Sequence, residues 1–310
     1  MKFIVSGDWH LTNKKPRART DNYVRAINKK VLQIFSLAGE NDAVILQPGD
    51  LTDDWDYPDK FKTEWIQAFR LYAAKMKIIT IPGQHDLRYH TSDFKNTPFG
   101  VITEGAEIQR AMDIPRKVTP DVHVYGAWWG KDVPKIEDKN AFNILLIHRL
   151  VLLEKIWEGQ DEEDFVLADS LLRENDYDLI VSGDNHKSLN IEVDQKRLIN
   201  CGSLMRSKLD QSDHHPCVWL IDTEDKDKWE QIFLDVEPFD EVFDVVKAKA
   251  AKAVEKQKNE SLKKLKYVLE HESRITGLNY RRRVMKRVIS LKDKTLISPV
   301  AESIINEVME

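Results

Sequence analysis

The sequence lacks the long apolar runs that membrane proteins need. None of its 310 residues fall in an apolar stretch of the roughly 20 residues that a helix requires to cross a bilayer. The first residues also reach the polar Ser6 and Asp8 too soon to form the apolar segment of a secretory signal. We therefore expect a cytoplasmic protein with no membrane contact.

Cysteine is also scarce. Cys201 and Cys217 are the only two cysteines, which are too few for a disulfide framework. We expect both thiols to be reduced, although a single disulfide is the alternative. Internal repeats and low-complexity linkers are missing as well, and a hydrophobic fraction of 42% over this length supports one large domain or two smaller ones.

Five clusters of acid, amide and histidine residues each follow a short apolar run. They are Asp8-Trp9-His10, Gly49-Asp50, Gly83-Gln84-His85-Asp86, His148 and Gly183-Asp184-Asn185-His186. Apolar runs of this length predict buried strands, and ligands of layered α/β folds bind beyond the carboxyl ends of strands. We therefore expect the five clusters to meet at one rim. Carboxylates and imidazoles without cysteine suit a pair of divalent metal ions.

Strand and helix patterns alternate over the first 200 residues. Helices are predicted from about Thr20 or Asp21, from near Pro58, and over about 163–174. From about residue 188 the pattern changes to short strands, which predicts an antiparallel second sheet. The fold class predicted is α/β, a two-sheet β-sandwich flanked by helices and followed by a C-terminal helical tail.

Glu237-Pro238 is the predicted domain boundary, between a catalytic domain (1–237) and a helical region (238–310). Residues 245–310 hold 16 Lys+Arg and 8 Asp+Glu, whereas the whole chain has a net charge of −5. A basic tail on an acidic body favours contact with a polyanion, and a solvated helix surface is the alternative. The tail's apolar stripe is too narrow to form a core alone, so these helices must pack on something.

The clusters resemble the calcineurin-like metallophosphoesterase superfamily in order and spacing, over roughly residues 1–205. That family's pattern is Asp-x-His, Gly-Asp, Gly-Asn-His-Asp/Glu, an isolated His, then Gly-His-x-His. Asp8 and His10 fit the first element, Asp50 the second and His148 the fourth. Gln84 stands where Asn is usual, and Asp184 stands where a His is usual.

The resemblance implies two metal sites. By this likeness Asp8, His10 and His186 hold one ion, and Gln84, His148 and Asp184 hold the other, with Asp50 bridging. A carboxylate in place of a neutral imidazole makes the second site more anionic and harder. We therefore expect two divalent ions, Mn²⁺ by preference with Mg²⁺ as the alternative, rather than Zn²⁺.

His85 and Asp53 are the predicted catalytic residues. His85 lies beside the ligand position Gln84, so it can face the phosphate and protonate the leaving oxygen. The resemblance implies that Asp53 orients His85, as the equivalent acid does in some family phosphatases. Asp86 is the competing candidate for that role.

Within the superfamily the chain resembles the SbcD-type DNA exonucleases of bacteria and phages. The residues that carry this likeness are Gly7-Asp8-Trp9-His10-Leu11, Gly49-Asp50-Leu51 and Asn200-Cys201-Gly202-Ser203. The likeness implies a DNA exonuclease or endonuclease in a recombination or repair complex, in a bacterial or phage-infected cytoplasm. It also implies that the C-terminal helices (238–310) bind an SbcC-type coiled-coil ATPase. This tail is shorter than that of larger relatives, so a reduced cap and a stand-alone nuclease are the alternatives. A homodimer is the other association left open.

Basic residues follow several of the clusters, where they could contact phosphates. The predicted substrate-binding residues are Lys14, Arg88, Ser203 and Arg206. The adjacent Trp128 and Trp129 could stack on a base, or pack at a core edge instead. Two other functions stay open: a small-molecule phosphodiesterase of the same fold, and a scaffold whose metal site is degenerate.

Overall fold

The structure is a computed structural model that describes residues 1–73, 77–91, 93–112, 114–155, 165–244 and 246. In these residues the strands are β1 (Lys2–Val5), β2 (Val44–Gln47), β3 (Ile78–Thr80), β4 (Gln109–Arg110), β5 (Arg116–Thr119), β6 (Val122–Ala127), β7 (Phe142–His148), β8 (Val151–Leu152), β9 (Val166–Leu167), β10 (Leu179–Gly183), β11 (Leu189–Val193), β12 (Lys196–Asn200), β13 (Cys217–Asp222) and β14 (Glu230–Phe233).

The helices described are α1 (Tyr23–Asn41), α2 (Asp59–Ala73), α3 (Pro98–Gly105), α4 (Ala168–Glu174) and α5 (Phe239–Val242). α1 begins slightly later than predicted because Asn22 is its cap, accepting a hydrogen bond from the backbone N–H of Arg25. The predicted helix start near Pro58 is confirmed by α2. α4 begins after the predicted residue 163, which itself lies outside the described residues.

Two six-stranded sheets form the centre of the fold. The first has the order β14-β13-β1-β2-β3-β4, and the second has the order β11-β12-β10-β7-β6-β5. β1, β2, β3 and β4 run parallel, and so do β6, β7, β10 and β12. The predicted two-sheet α/β sandwich is therefore confirmed.

Successive side chains along each strand point to opposite faces of the sheet, and this divides the core into layers. Ile4 and Ile45 pack with α1 residues such as Ile27 on the outer face of the first sheet, whereas their neighbours Phe3 and Leu46 pack against the second sheet. The outer face of the second sheet packs on α4. Each central strand is therefore buried on both sides.

The late strands do not form a sheet of their own, and that sequence prediction was wrong. β12 and β11 extend the second sheet beside β10, and β13 and β14 extend the first sheet beside β1. β1 and β10 are almost wholly buried, so their hydrogen-bonding edges need partners. The hairpin of β11 and β12 covers the edge of β10, and the hairpin of β13 and β14 covers the edge of β1. The half-exposed strands β11 and β14 are therefore the outermost strands.

The chain divides into two compact units, Met1–Val242 and Phe243–Glu310. α5 belongs to the first unit, where the backbone N–H of Thr20 donates to the carbonyl of Val242 over 3.0 Å. The boundary predicted after residue 237 lies just before this helix. The part of the predicted helical region that follows residue 246 lies outside the described residues.

No helix in the described ranges is long and apolar enough to cross a membrane.

Candidate metal centre

The five clusters converge where the parallel strands of both sheets end. β1, β2 and β3 are neighbours in the first sheet, and β7 and β10 are neighbours in the second. The loop after β1 is joined to the loop after β2, because the N–H groups of Trp9 and His10 both donate to the carbonyl of Asp50. It is joined to the loop after β10 through the backbone N–H of Asp184, which donates to Asp8 Oδ2 over 2.9 Å. The predicted meeting of the clusters at one rim is thus present in the structure.

The backbone of this centre is strained at three of the predicted ligands. His10, Asp50 and Asp184 have φ values of 46°, 50° and 75°, which lie in the left-handed region that non-glycine residues rarely occupy. Such conformations cost free energy and cluster at functional sites. Here each one turns the chain sharply after a buried strand, so that the side chain faces the shared centre.

Three predicted ligands of one ion lie together. The Nε2 atoms of His10 and His186 are 3.0 Å apart, and His186 Nε2 is 3.8 Å from Asp8 Oδ2. One ligand-type atom from each of the three residues lies within 4.8 Å of the others. A second group with the same spacing consists of His10, Asp50 and His85.

The predicted ligands of the other ion are adjacent to these. His148 Nε2 lies 3.4 Å from Asp50 Oδ2, and the same oxygen is 3.7 Å from His10 Nε2. The amide nitrogen of Gln84 donates to Asp184 Oδ1 over 3.3 Å. Asp50 therefore lies between the two groups of side chains, as expected of a bridging ligand.

Several polar atoms of the centre are buried without a partner, which tests whether the residues fit a metal. Asp8 Oδ1, Asp50 Oδ2 and His148 Nε2 are among the few buried side-chain atoms in the described residues that make no hydrogen bond. Buried polar atoms are normally satisfied. Two carboxylate oxygens and an imidazole nitrogen with no donor or acceptor fit divalent cations, so the residues present suit the implied ions.

The tautomer of His148 also suits a ligand. Its Nδ1 lies 2.8 Å from the carbonyl of Pro48. Since a carbonyl only accepts, Nδ1 carries the hydrogen and the lone pair of neutral His148 is on Nε2, facing Asp50. Metal-binding histidines commonly donate their other ring N–H to a carbonyl in this way.

The protonation of the centre reflects an excess of buried negative charge. Burial raises the pKa of Asp8 to about 8, with further contributions from Asp50 and Asp184. Burial opposes the charged form of His148, yet the attraction of Asp50 and Asp8 raises its pKa to about 10. The pKa of His10 is raised to about 9 in the same way, against burial, by Asp53, Asp50 and Asp8. Without metal, protons therefore supply the positive charge that the centre requires.

Asp53 does not orient His85 through its carboxylate, and that part of the sequence prediction was wrong. The backbone carbonyl of Asp53 accepts from His85 Nδ1 over 2.8 Å. The Asp53 carboxylate lies instead 3.4 Å from His10 Nδ1, because the side chain turns toward the loop after β1. His85 is thus held by main chain, and Asp53 acts on a predicted metal ligand.

Asp86 holds the loops after β2 and β3 together. Its buried carboxylate accepts from the backbone N–H groups of Gly83, Leu51 and Thr52 and from the Thr52 hydroxyl. Sequence reasoning offered it only as a competitor for orienting His85. A buried acid directly after the third cluster was the available signal, but four donors to one carboxylate appear only once the loops are adjacent.

The predicted substrate-binding residues divide into two pairs. Lys14 and Arg88 are exposed; Lys14 pairs with Asp54 over 2.9 Å. Ser203 and Arg206 are buried and used internally: the Ser203 hydroxyl donates to the Met205 carbonyl, and the Arg206 guanidinium donates to the Glu237 carbonyl. The structure does not present these two side chains to a substrate.

The fold and the site define a metal-dependent phosphoester hydrolase. Residues 1–188 match the sequence model of the family described as Calcineurin-like phosphoesterase. The match covers more than half of the chain, and the protein belongs to this family. No curated protein matches the sequence significantly.

Solved structures of similar fold have low sequence identity. A protein of Thermus thermophilus is 12% identical with a TM-score of 0.47, covering 74% of this chain and 97% of the other. A structure described as a novel archaeal phosphodiesterase is 15% identical with a TM-score of 0.41, over 76% and 100%. A putative 5'-nucleotidase from Staphylococcus aureus is 12% identical with a TM-score of 0.47, over 83% and 58%. At these scores they carry no argument about substrate.

Proposed function

We propose that this protein is a metal-dependent DNA nuclease that hydrolyses phosphodiester bonds. The observation that carries the proposal is the group of buried, unpartnered ligand atoms of Asp8, Asp50 and His148 beside His85. Asp8, His10 and His186 would hold one divalent ion and Gln84, His148 and Asp184 the other, with Asp50 shared. When bound, such ions polarise a phosphoryl oxygen and lower the pKa of bound water.

His85 supplies the proton for the leaving oxygen in this proposal. Its Nδ1–H is committed to the Asp53 carbonyl, which leaves Nε2 as the ring nitrogen available to a substrate. One ring nitrogen of His85 lies within 4.8 Å of ligand atoms of His10 and Asp50. A proton on Nε2 makes the ring an imidazolium, which can donate to an alkoxide as it leaves. Proton donation by a positioned side chain typically contributes about 10²–10⁴-fold.

Exposed cations beside the centre support a polyanionic substrate. Lys14 follows the first cluster and Arg88 follows the third, and both side chains are exposed. Lys208 is exposed as well and lies near His186: burial, His10 and Lys208 together lower the pKa of that histidine to about 3. Phosphates flanking the scissile bond of a DNA strand could contact cations in these positions, whereas a small diester has no such phosphates.

Digestion of end-labelled oligonucleotides by metal-stripped protein with added Mn²⁺ tests the proposal. We expect cleavage of single- or double-stranded DNA that disappears in Asp50→Ala, and the length of the labelled products gives the direction. Cleavage of a bis-aryl phosphodiester without any cleavage of DNA would favour a small-molecule phosphodiesterase. Failure to bind metal or to cleave any diester would favour a degenerate scaffold.

We infer Mn²⁺, with Mg²⁺ as the alternative, from the oxygen-rich second ligand set of Gln84 and Asp184. Restoring activity with each ion separately tests this. Mn²⁺ should restore more activity than Zn²⁺, and Asp184→His should shift the preference toward Zn²⁺. Restoration by Zn²⁺ and not by Mn²⁺ would refute the inference.

The partner proposals rest on sequence similarity. We infer that residues 238–310 bind an SbcC-type coiled-coil ATPase, with self-association as the alternative. Removing 245–310 should spare hydrolysis of a small diester and abolish ATP-stimulated DNA cleavage by the mixed proteins. Light scattering of the full chain alone distinguishes a homodimer.

A further inference from the structure

Three side chains beside the metal centre form an exposed aromatic platform: Trp55, Arg88 and Tyr89. The ring centroids of Trp55 and Tyr89 are 4.8 Å apart, with 49° between their planes. The Arg88 guanidinium carbon lies 5.5 Å from the Trp55 ring and 5.4 Å from the Tyr89 ring. Tyr89 is 68% exposed and Trp55 is half-buried, so much of the tyrosine ring faces solvent.

The platform is fixed close to His85. Trp55 follows Asp53, whose carbonyl accepts from His85 Nδ1, by two residues. Arg88 and Tyr89 follow His85 by three and four residues on the other loop. Because Asp86 bonds to backbone N–H groups of both loops, the position of the platform relative to His85 is set by the same contacts that shape the centre.

The backbone of Tyr89 is strained. Its φ and ψ of 50° and 32° are left-handed, which is unfavourable for a bulky residue. The turn around it is held by backbone bonds from Arg88 N–H to Asp93 and from Thr91 N–H to Arg88. The strained backbone thus presents an aromatic ring to water. Of the two tryptophans considered for stacking, Trp128 is 5% exposed and belongs to the core, and Trp129 is partly buried against the same core.

We propose that Trp55, Arg88 and Tyr89 stack an unpaired base of the nucleic acid whose phosphate is cleaved at the metal centre. This inference rests on the proposed nuclease function and specifies its substrate as a strand with an unstacked base near the scissile phosphate. Aromatic rings stack on any base because every base has a π-face, and arginine adds a cation–π contribution. The platform therefore selects for a nucleobase without reading its identity.

A protein partner is the competing occupant, since aromatic residues and arginine are also enriched in protein interfaces. The location favours a base. The platform lies within two to four residues of both Asp53 and His85, and exposed Lys14 and Lys208 belong to other loops of the same rim. A nucleic acid can contact these cations and the platform together through its alternating phosphates and bases.

Binding of two single strands of equal length and charge tests the platform directly. One strand is a labelled oligothymidylate, and the other carries abasic residues at every position. Anisotropy in EDTA measures affinity without cleavage. We expect the full-length protein to bind the intact strand about tenfold more tightly (about 1.4 kcal/mol). Tyr89→Ala and Trp55→Ala should reduce this ratio to nearly one, and Tyr89→Phe should keep it.

Phe233→Ala is the matched control, because Phe233 is an aromatic residue 60% exposed on the edge strand β14. Its base-to-abasic ratio should equal that of the unaltered protein. Equal binding of both strands by the unaltered protein would refute the proposed base stacking. An unchanged base-to-abasic affinity ratio in folded Tyr89→Ala would refute it as well. A binding ratio in EDTA together with no cleavage of any strand after Mn²⁺ is added would refute the nuclease function and leave the platform standing.

Discussion

At the residue scale, the metal centre is defined by polar atoms that the protein itself leaves unsatisfied. Asp8 and Asp50 are each 1% exposed, and each has a carboxylate oxygen with no hydrogen-bond partner. Two buried carboxylates near Asp184 repel one another unless protons or cations lie between them. Of the two, Asp8 therefore destabilises the fold when no metal is bound, because burial raises the pKa of its carboxyl to about 8.

Asp8→Asn should make the metal-free protein more stable and prevent metal binding. The amide keeps the shape and can still accept from the Asp184 N–H, but it removes one buried charge. At pH 9, where Asp8 is mostly ionised, we expect a gain of about 1 kcal/mol. Urea unfolding in EDTA measures this, and Mn²⁺ should no longer raise the melting temperature. A loss of stability in EDTA would contradict the explanation.

Asp53→Ala and His85→Ala should have different effects, because the Asp53 carboxylate faces His10 and only its carbonyl contacts His85. His85→Ala should lower kcat by about 10²–10⁴-fold. Asp53→Ala should mainly weaken metal affinity, by about 10–100-fold, and recover most of kcat at high Mn²⁺.

Titrations of Mn²⁺ binding and of kcat against Mn²⁺ separate the two effects. His215→Ala is the control, since His215 is exposed and packs against Phe233. If Asp53→Ala lowered kcat as much as His85→Ala at saturating Mn²⁺, the carboxylate would have a role beyond His10.

At the scale of elements, the site depends on how the loops after neighbouring strands are joined. Asp86 ties the loop after β3 to the loop after β2 through four accepted hydrogen bonds. Close approach of these loops also requires glycine: a Cβ at Gly83 would lie 2.2 Å from Asp50 Oδ1. The loop geometry that aims Asp50 and His85 thus depends on residues that contact no substrate.

Asp86→Asn should destabilise the metal-free protein by about 1–3 kcal/mol. All four groups that contact this carboxylate donate hydrogen bonds to it. In either orientation of the substituted amide, its NH₂ group therefore faces another donor, and that hydrogen bond is lost. Urea unfolding gives the loss. Asp59→Asn on the exposed start of α2 should change stability by less than about 0.5 kcal/mol. Equal stability of Asp86→Asn and the unaltered protein would show that the loops are held by other contacts.

At the scale of the whole molecule, stability depends on pH through the centre between the two sheets. The unfolded chain releases protons from histidine near pH 6.5, whereas folded His10 and His148 keep theirs to about pH 9 and 10. Asp8 likewise keeps its proton to about pH 8. From pH 6.5 to 9 the three groups of the centre therefore bind more protons in the folded state than in the unfolded state, and they outnumber Cys217 and Lys30, whose pKa values are lowered to about 7 and 8.

The melting temperature of the metal-free protein should fall as pH rises through this window. Each excess proton contributes at most about 1.4 kcal/mol per pH unit. Mn²⁺ displaces these protons, so its stabilising effect should grow from pH 6.5 to 9. Calorimetry in EDTA and in Mn²⁺ gives both curves. A metal-free melting temperature that rises over this range would refute the assigned protonation.

The local hydrophobic pattern predicted most of the strands, but it did not predict which strands pair with each other. Short apolar runs identified β1, β2, β3, β7 and β10, because burial on both faces leaves an unbroken apolar segment. The partners of β11 to β14 were not predictable, because hairpins with similar local pattern can cover the edge of either sheet. That choice depends on which buried edge remains open once the parallel strands are paired.

The sequence by itself determined which residues lie together at the candidate metal centre, since each candidate ligand directly follows a buried strand whose end must lie at the rim. Only the tertiary structure decided what their second contacts are. In the structure the Asp53 carboxylate faces His10, and the side chains of Ser203 and Arg206 make internal hydrogen bonds. Trp55 lies beside Tyr89. The physical reason is that strand burial is encoded locally, whereas the direction of a loop side chain depends on which donors and rings from distant loops lie beside it.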